Sequence, residues 1–379
     1  MAHRVLFHVQ HLLGIGHLQR SLRIAEALVD AGIQVTLVQG GPALPEVTGA
    51  RGIDIVQLPP IRSRDASFAL VDEAGMPVSD ALRAARREVL LAALAVARPG
   101  AVIVEGFPFA RRAFRFELDP LIAAARAAGV PVVCSVRDIP TVRADPDRLA
   151  SIVARVRADF AAVLVHGDAG FIPFDAAFPA AREIADRLHY TGYVANPVPP
   201  PAAASAPIGE VLISVGGGGE AGRALLHAAI EARRQGCLPD KGWRVLAGTG
   251  PSDSELQAIR AAAPAGVVIE RFRRDFPSLL RSCHVSVSQA GYNTVLDILA
   301  AKAKAVQVPF AAERETEQTI RAEHLAARGA AILLRESELS ATTLAAAIER
   351  VASSEPAAFP LNIDGARRSA ELIAGLLTK

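Results

Sequence analysis

Two hydrophobic patterns alternate along the chain: short runs rich in β-branched residues, and longer stretches with an apolar position every three or four residues. Arg4–Gln10 reads as a strand, and His17–Ala31 carries Leu18, Leu22, Ala25 and Val29 at helical spacing. Gly32 closes that helix and Gln34–Val38 is the next strand. Further strands are predicted over Ile55–Leu58, Ala101–Glu105, Val132–Val136 and Ala162–His166, with helices around 80–97, 119–128 and 147–159. The alternation resumes with a strand over Glu210–Val215, a helix over Glu220–Arg234, and strands over Trp243–Ala247 and Val267–Glu270. A strand over His284–Ser288 turns at Ser288–Gly291 into a helix carrying Val295, Ile298, Leu299 and Ala301. The strand Ala305–Val308 follows and stops at Pro309, and Asp364–Leu377 reads as an amphipathic terminal helix. Strands alternating with helices imply an α/β protein with parallel, doubly wound sheets.

The pattern lapses once near the middle, in the proline-rich and small-residue stretch Val194–Gly209, which reads as a linker. With 379 residues the chain is long enough for two cores, expected over 1–193 and 210–360, with a terminal segment at 361–379. A net charge of +2 is too small to imply nucleic-acid binding. Cys134, Cys237 and Cys283 lie far apart and match no metal or redox spacing, which suits a reducing compartment. No apolar run approaches the ~18–20 residues of a spanning helix. No secretory leader pattern precedes the first strand, so a cytoplasmic location is expected.

Candidate chemistry gathers where predicted strands end. The turn Gly14-Ile15-Gly16-His17 is a poor dinucleotide fingerprint, because Arg20 stands near the third glycine's place and no acidic residue ends the second strand. His17 at a helix start, where the positive dipole end disfavours imidazolium, is either a neutral general base or a histidine bonded to nearby backbone. Glu105, Asp138 and His166 also end strands; the first two are candidates for assisting the base or binding an acceptor, and Asp138 is also a candidate ion pair with Arg137. The run Gly216–Gly219 lets backbone approach a ligand before a helix start, which suits a phosphate. Asp145-Pro146-Asp147 matches a metal-binding D-x-D, but it precedes a helix and Asp147 is a natural N-cap, so no metal is expected. Phe107–Phe116, FPFARRAFRF, is either a lipid-facing surface or a loop with an arginine face and buried rings.

The stretch Ser288–Gly291, Thr294-Val295-Leu296-Asp297, Val308-Pro309-Phe310 and Thr316-Glu317-Gln318 resembles the donor half of the MurG-type glycosyltransferases, glycosyltransferase family 28. The resemblance implies the GT-B architecture, two Rossmann-like parallel-sheet domains facing across a cleft, with the last helix crossing back onto the first domain. It implies a UDP-sugar donor, UDP-N-acetylglucosamine in the family, and no metal or other cofactor. Donor contacts would come from Gly216, Gly217, Gly218, Gly219, Phe272, Arg273, Ser288, Gln289, Ala290, Gly291, Asn293, Thr294, Asp297, Glu317 and Gln318. His17 would be the base on the acceptor side. The acceptor is left open among small-molecule, glycan and lipid-linked hydroxyls, with peripheral membrane contact through 107–116 as one expectation. The family has Glu where this chain has Asp297, and Thr294-x-x-Asp297 also reads as a near capping box. Its linker arginine is replaced by Pro199 after Asn196-Pro197-Val198. The loop Gly14-x-Gly16-His17-x-x-Arg20 also resembles PseG-type nucleotide-sugar hydrolases. A UDP-sugar epimerase and a non-catalytic nucleotide-sugar-binding protein are further alternatives.

Overall fold

The first strand, β1 (Arg4–Val9), is hydrophobic at four of its six positions and buried everywhere but its first residue. That is the signature of a parallel strand covered on both faces. It pairs in parallel with both β2 (Gln34–Gln39) and the later β6 (Ala101–Glu105). The structure, a computed structural model, describes residues 3–12, 16–43, 52–64, 69–140, 145–195, 209–216, 220–248, 250–310, 316–355 and 360–378.

Two compact units result, Met1–Val194 with Asn362–Lys379 and Ala195–Leu361. In the first, α1 (Gly16–Asp30) joins β1 to β2, and β3 (Ile53–Gln57) extends the sheet. A two-residue antiparallel pair follows, β4 (Arg62–Ser63) with β5 (Leu70–Val71). Then come α2 (Asp80–Ala97), β6, α3 (Arg115–Ala127), β7 (Val132–Arg137), α4 (Pro146–Asp159), β8 (Ala162–His166) and β9 (Leu188–Tyr190). The strand order is β3-β2-β1-β6-β7-β8-β9, all parallel. The second unit holds β10 (Val211–Ser214), α5 (Glu220–Arg234), β11 (Trp243–Leu246), α6 (Asp253–Ala261), β12 (Val267–Glu270) and α7 (Phe276–Ser282). It continues with β13 (Val285–Ser288), α8 (Tyr292–Ala301), β14 (Ala305–Gln307), α9 (Glu317–Ala327), β15 (Ile332–Leu333) and α10 (Ala341–Ala352). Its order, β12-β11-β10-β13-β14-β15, is that of a dinucleotide-binding sheet.

Finally α11 (Gly365–Leu377) belongs to the first unit. Val194 and Asp364 form a β-bridge, and Ala370 and Ile373 enter the core with Leu18, Ile24 and Leu28. Most of the expected linker, including Asn196–Pro199, lies outside the described residues.

Some expectations need correction. α3 begins at Arg115 rather than near 119, with Pro120 inside the helix. α4 is capped by Asp145, whose Oδ1 accepts from the Arg148 N–H at 2.9 Å; Asp147 is in the first turn. The rings of Phe107, Phe109 and Phe114 are buried in the core of the first unit, while Phe116 is partly exposed. Among the described residues no helix is long and apolar enough to cross a membrane.

Candidate active site

In the first unit β1 is the strand from which the sheet grows in both directions, toward β2 and toward β6. A crevice opens at the carboxyl ends of two such strands because their outgoing connections leave on opposite faces. The residues gathered there are His11, just beyond β1, His17 in the first turn of α1, and Glu105 at the last position of β6.

His17 Nδ1 lies 2.6 Å from Glu105 Oε1. A carboxylate oxygen only accepts, so Nδ1 carries the proton and Nε2 keeps a bare lone pair. Burial pushes the imidazole pKa down to about 3, against the pull of Glu105 and with help from the Arg111 and Arg20 guanidiniums. The ring is thus neutral at physiological pH, yet 27% of the side chain remains accessible. Burial opposes the charge on Glu105, but His17, Arg111 and Arg20 outweigh it and hold the carboxyl well below its usual range. Arg20 Nη2 donates to Glu105 Oε1 at 2.7 Å, and Arg111 Nη2 reaches Oε2 at 3.3 Å. The arrangement is a neutral imidazole oriented by a buried carboxylate that two arginines keep ionised. Glu105, 2% exposed, acts on His17 rather than presenting itself to an acceptor.

Asp138 is fully buried and accepts from the Tyr193 hydroxyl at 3.1 Å and the Ile139 N–H at 2.9 Å, a packing role. His166 is likewise buried between Ser135 Oγ at 2.7 Å and Thr191 Oγ1 at 3.0 Å, with its pKa pushed down to about 3 by burial. Its register partner Arg137 and its neighbour Glu105 belong to the same strand ends, but the imidazole faces the interior. Arg20 and Arg111 were not singled out by sequence reasoning as partners of Glu105 and His17. Arg20 had a signal, since its spacing of three from His17 places both on one helix face.

In the second unit the equivalent crevice lies between β10 and β13. Gln289 bridges it, its Oε1 accepting from the Gly216 N–H at 3.1 Å. Gly248 closes the other side of the Gly216 turn at φ +67°, and a Cβ there would meet the Gly216 carbonyl at 2.8 Å. Gly217, Gly218 and Gly219 lie outside the described residues. Ser288 and Ala290 are buried at the turn that leads into α8, and Gly291 is the N-cap residue. No side chain caps the helix and its first turn holds no acidic residue, so the helix start is electrostatically compatible with an anion. Because α8 starts at Tyr292, Thr294 sits inside its first turn and forms no capping box with Asp297, which lies one turn further along, half-buried.

Two neighbouring candidates brace the local backbone. Glu317 is buried and paired with Arg321 at 2.8 Å, and Arg321 donates to the Ala290 carbonyl at 2.9 Å, which anchors the 288–291 turn to α9. Gln318 Oε1 accepts from the Phe310 N–H at 3.1 Å, fixing the end of the strand before it. Asn293 is half-buried in the first turn of α8. Phe272 is 71% exposed just past β12, available as a ring surface. Arg273 is held between Asp275 and Glu270, which raise its pKa. Among the described residues no group of three or more His, Cys, Asp or Glu side chains could hold a metal ion.

Residues 212–374 match the glycosyltransferase family 28 C-terminal domain. The chain is similar to UDP-N-acetylglucosamine--N-acetylmuramyl-(pentapeptide) pyrophosphoryl-undecaprenol N-acetylglucosamine transferases. With that of Phenylobacterium zucineum it is 26% identical over 354 residues, covering 89% of this chain and 86% of the relative. With that of Symbiobacterium thermophilum it is 28% identical, covering 95% and 93%. The match to the Prochlorococcus marinus (strain NATL1A) relative is shorter, spanning 38% of that protein's length. Among solved structures, the glycotransferase of kitacinnamycin superposes with a TM-score of 0.67 at 18% identity, covering 99% of each chain. Acinetobacter baumannii MurG superposes with a TM-score of 0.62 at 18% identity, covering 98% of this chain and 99% of that one. Its two parallel-sheet units and these likenesses make the chain a MurG-like glycosyltransferase of the GT-B fold, with a family 28 C-terminal domain.

Proposed function

We propose that the chain is an inverting transferase that moves N-acetylglucosamine from UDP-N-acetylglucosamine to an acceptor hydroxyl without a metal. In this reading His17 Nε2 takes the hydroxyl proton as the acceptor oxygen attacks the anomeric carbon. The bond from that carbon to the diphosphate breaks, and UDP leaves with the electron pair. The uncapped start of α8 would stabilise the departing negative charge with backbone N–H groups. Asp297 and the exposed Phe272 would hold the ribose and the base. The choice of N-acetylglucosamine rests on the relatives, whose names also give an undecaprenol-linked acceptor; a lipid-linked hydroxyl is therefore the acceptor class we favour.

The observation that carries the proposal is the His17–Glu105 pair, which leaves a neutral imidazole with its free nitrogen at the mouth of a strand-end crevice. Replacing His17 by Ala should lower turnover of UDP-N-acetylglucosamine by roughly two to four decades, the contribution of a general base, with UDP affinity near wild type. Unchanged turnover would remove His17 from the chemistry.

A further inference from the structure

Three accessible guanidiniums of the first unit gather with no carboxylate to balance them. Arg112 opens the short 3₁₀ turn Arg112–Phe114, Arg115 is the first residue of α3, and Arg148 stands in the first turn of α4. Arg112 is exposed, and Arg115 and Arg148 are half-buried. Arg148 Nη2 donates to the Pro108 carbonyl at 3.4 Å, which brings its side chain to the loop that leads from β6 to Arg111 and Arg112. Burial and then the charges of Arg112 and Arg115 lower its pKa, so the three cations repel one another. Among the described residues none of the three forms an ion pair, whereas neighbouring Arg111 is held by Glu105, and Arg155 by Asp119 and Asp159. The carboxylates nearest in sequence do not compensate: Asp145 caps α4, Glu117 is buried against Arg86, and Asp147 pairs with none of them. Each of these arginines also stands at a helix start, where the dipole disfavours a cation. Like charges set together at the wrong helix end leave their repulsion to be offset by an anion from outside.

The patch is continuous with the crevice that holds His17. Glu105 joins the two: one of its oxygens lies 2.6 Å from His17 Nδ1 and the other 3.3 Å from Arg111 Nη2, and Arg112 is the next residue. Arg137, at the end of β7, adds a further positive charge that acts on Arg111. We propose that Arg112, Arg115 and Arg148 hold a phosphate group of the acceptor whose hydroxyl reacts at His17. The assignment rests on the transferase reading above and narrows its lipid-linked acceptor to one linked through phosphate. A carboxylate would balance one charge of the patch, whereas a diphosphate carries enough charge to balance more, and guanidinium forks match phosphate oxygens. An uncharged acceptor would leave the repulsion as it is, and a cationic one would add to it.

The test is calorimetry on the full chain saturated with UDP, so that the proposed donor crevice is occupied, with geranyl diphosphate and geraniol as probes. Wild type should bind the diphosphate at least about tenfold more tightly than the alcohol, and the double variant Arg112→Gln, Arg148→Gln should lose most of that difference. Arg350→Gln, which removes a charge from α10 in the second unit, should keep it. Thermal melting confirms that each variant is folded. Sedimentation with phosphatidylglycerol vesicles separates the acceptor's phosphate from a phospholipid headgroup. If the double variant leaves the vesicles but binds geranyl diphosphate as wild type does, the arginines face a lipid surface and the assignment falls. Equal binding of the two probes by wild type, or an equal loss in Arg350→Gln, would also overturn it while leaving the transferase reading standing. A wild type that releases no UDP from UDP-N-acetylglucosamine, with cell lipid extract or with water as acceptor, would overturn the transferase reading itself, and this assignment with it.

Discussion

The sharpest consequence of the site is what Glu105→Gln should do. The substitution keeps an oxygen able to accept the His17 Nδ1–H across 2.6 Å but removes the negative charge. When the acceptor proton reaches Nε2, the ring becomes an imidazolium, and its bond to Glu105 changes from neutral–ionic to a full ion pair. A charge-assisted bond contributes about 1.5–3 kcal/mol and a neutral one about 1, so the transition state loses roughly 1–2 kcal/mol. At 1.36 kcal/mol per decade this is a fall in kcat of about five- to thirtyfold. UDP affinity should hold, because the proposed donor contacts lie in the other unit. Stability should fall as well: Arg20, 3% exposed, and Arg111 lose their shared anion, and breaking a buried pair costs up to about 3–5 kcal/mol. Activity must therefore be compared at a temperature where thermal melting shows the variant folded. Steady-state UDP release gives kcat, and calorimetry gives the UDP affinity. A kcat within about twofold of wild type would refute the orienting role of Glu105. A loss of UDP affinity as large as the loss of kcat would show that the carboxylate acts through the fold and not through the base.

Other consequences are simpler to state. If Asp297 accepts from ribose hydroxyls, Asp297→Asn should weaken UDP binding by roughly 1–3 kcal/mol; unchanged affinity by calorimetry would sink the ribose contact. Turnover should survive excess EDTA, since helix-start N–H groups meet the diphosphate in the proposed mechanism; loss of activity restored by magnesium or manganese would contradict it. His17 and His166 titrate near 6.5 in the unfolded chain but only at about 3 when folded, so between those values the unfolded chain binds more protons. Stability should accordingly fall as pH drops from about 6.5 toward 3, and the urea midpoint of a His166→Gln variant should fall less steeply over that window.

The alternation of apolar runs and helical spacing was enough to locate most strands and several helices, because each pattern reflects a local backbone period set by burial on one face or two. Ala101–Glu105, Ala162–His166, Val267–Glu270 and the helix Glu220–Arg234 lie where the sequence places them. Weakly patterned elements were not legible: α6 and α10, each opened by a serine capping box, and the two-residue β15 that completes the second sheet. The turn Ser288–Gly291 and the helix-start histidine were also visible, since glycine and polar residues after a β-branched run mark strand ends. The strand order was not. Only when β1 is placed between β2 and β6 do His17 and Glu105, 88 positions apart in sequence, meet at 2.6 Å. The same holds for Gln289 and Gly216, joined across the second sheet. What each buried polar residue does was decided there too. Glu105, Asp138 and His166 look alike in the sequence as polar residues at strand ends, yet partners brought by other elements set Glu105 to orient an imidazole and hold the other two in buried hydrogen bonds. A charge declares its type in the sequence, but its partner, and so its protonation and its reach, depends on contacts between distant strands.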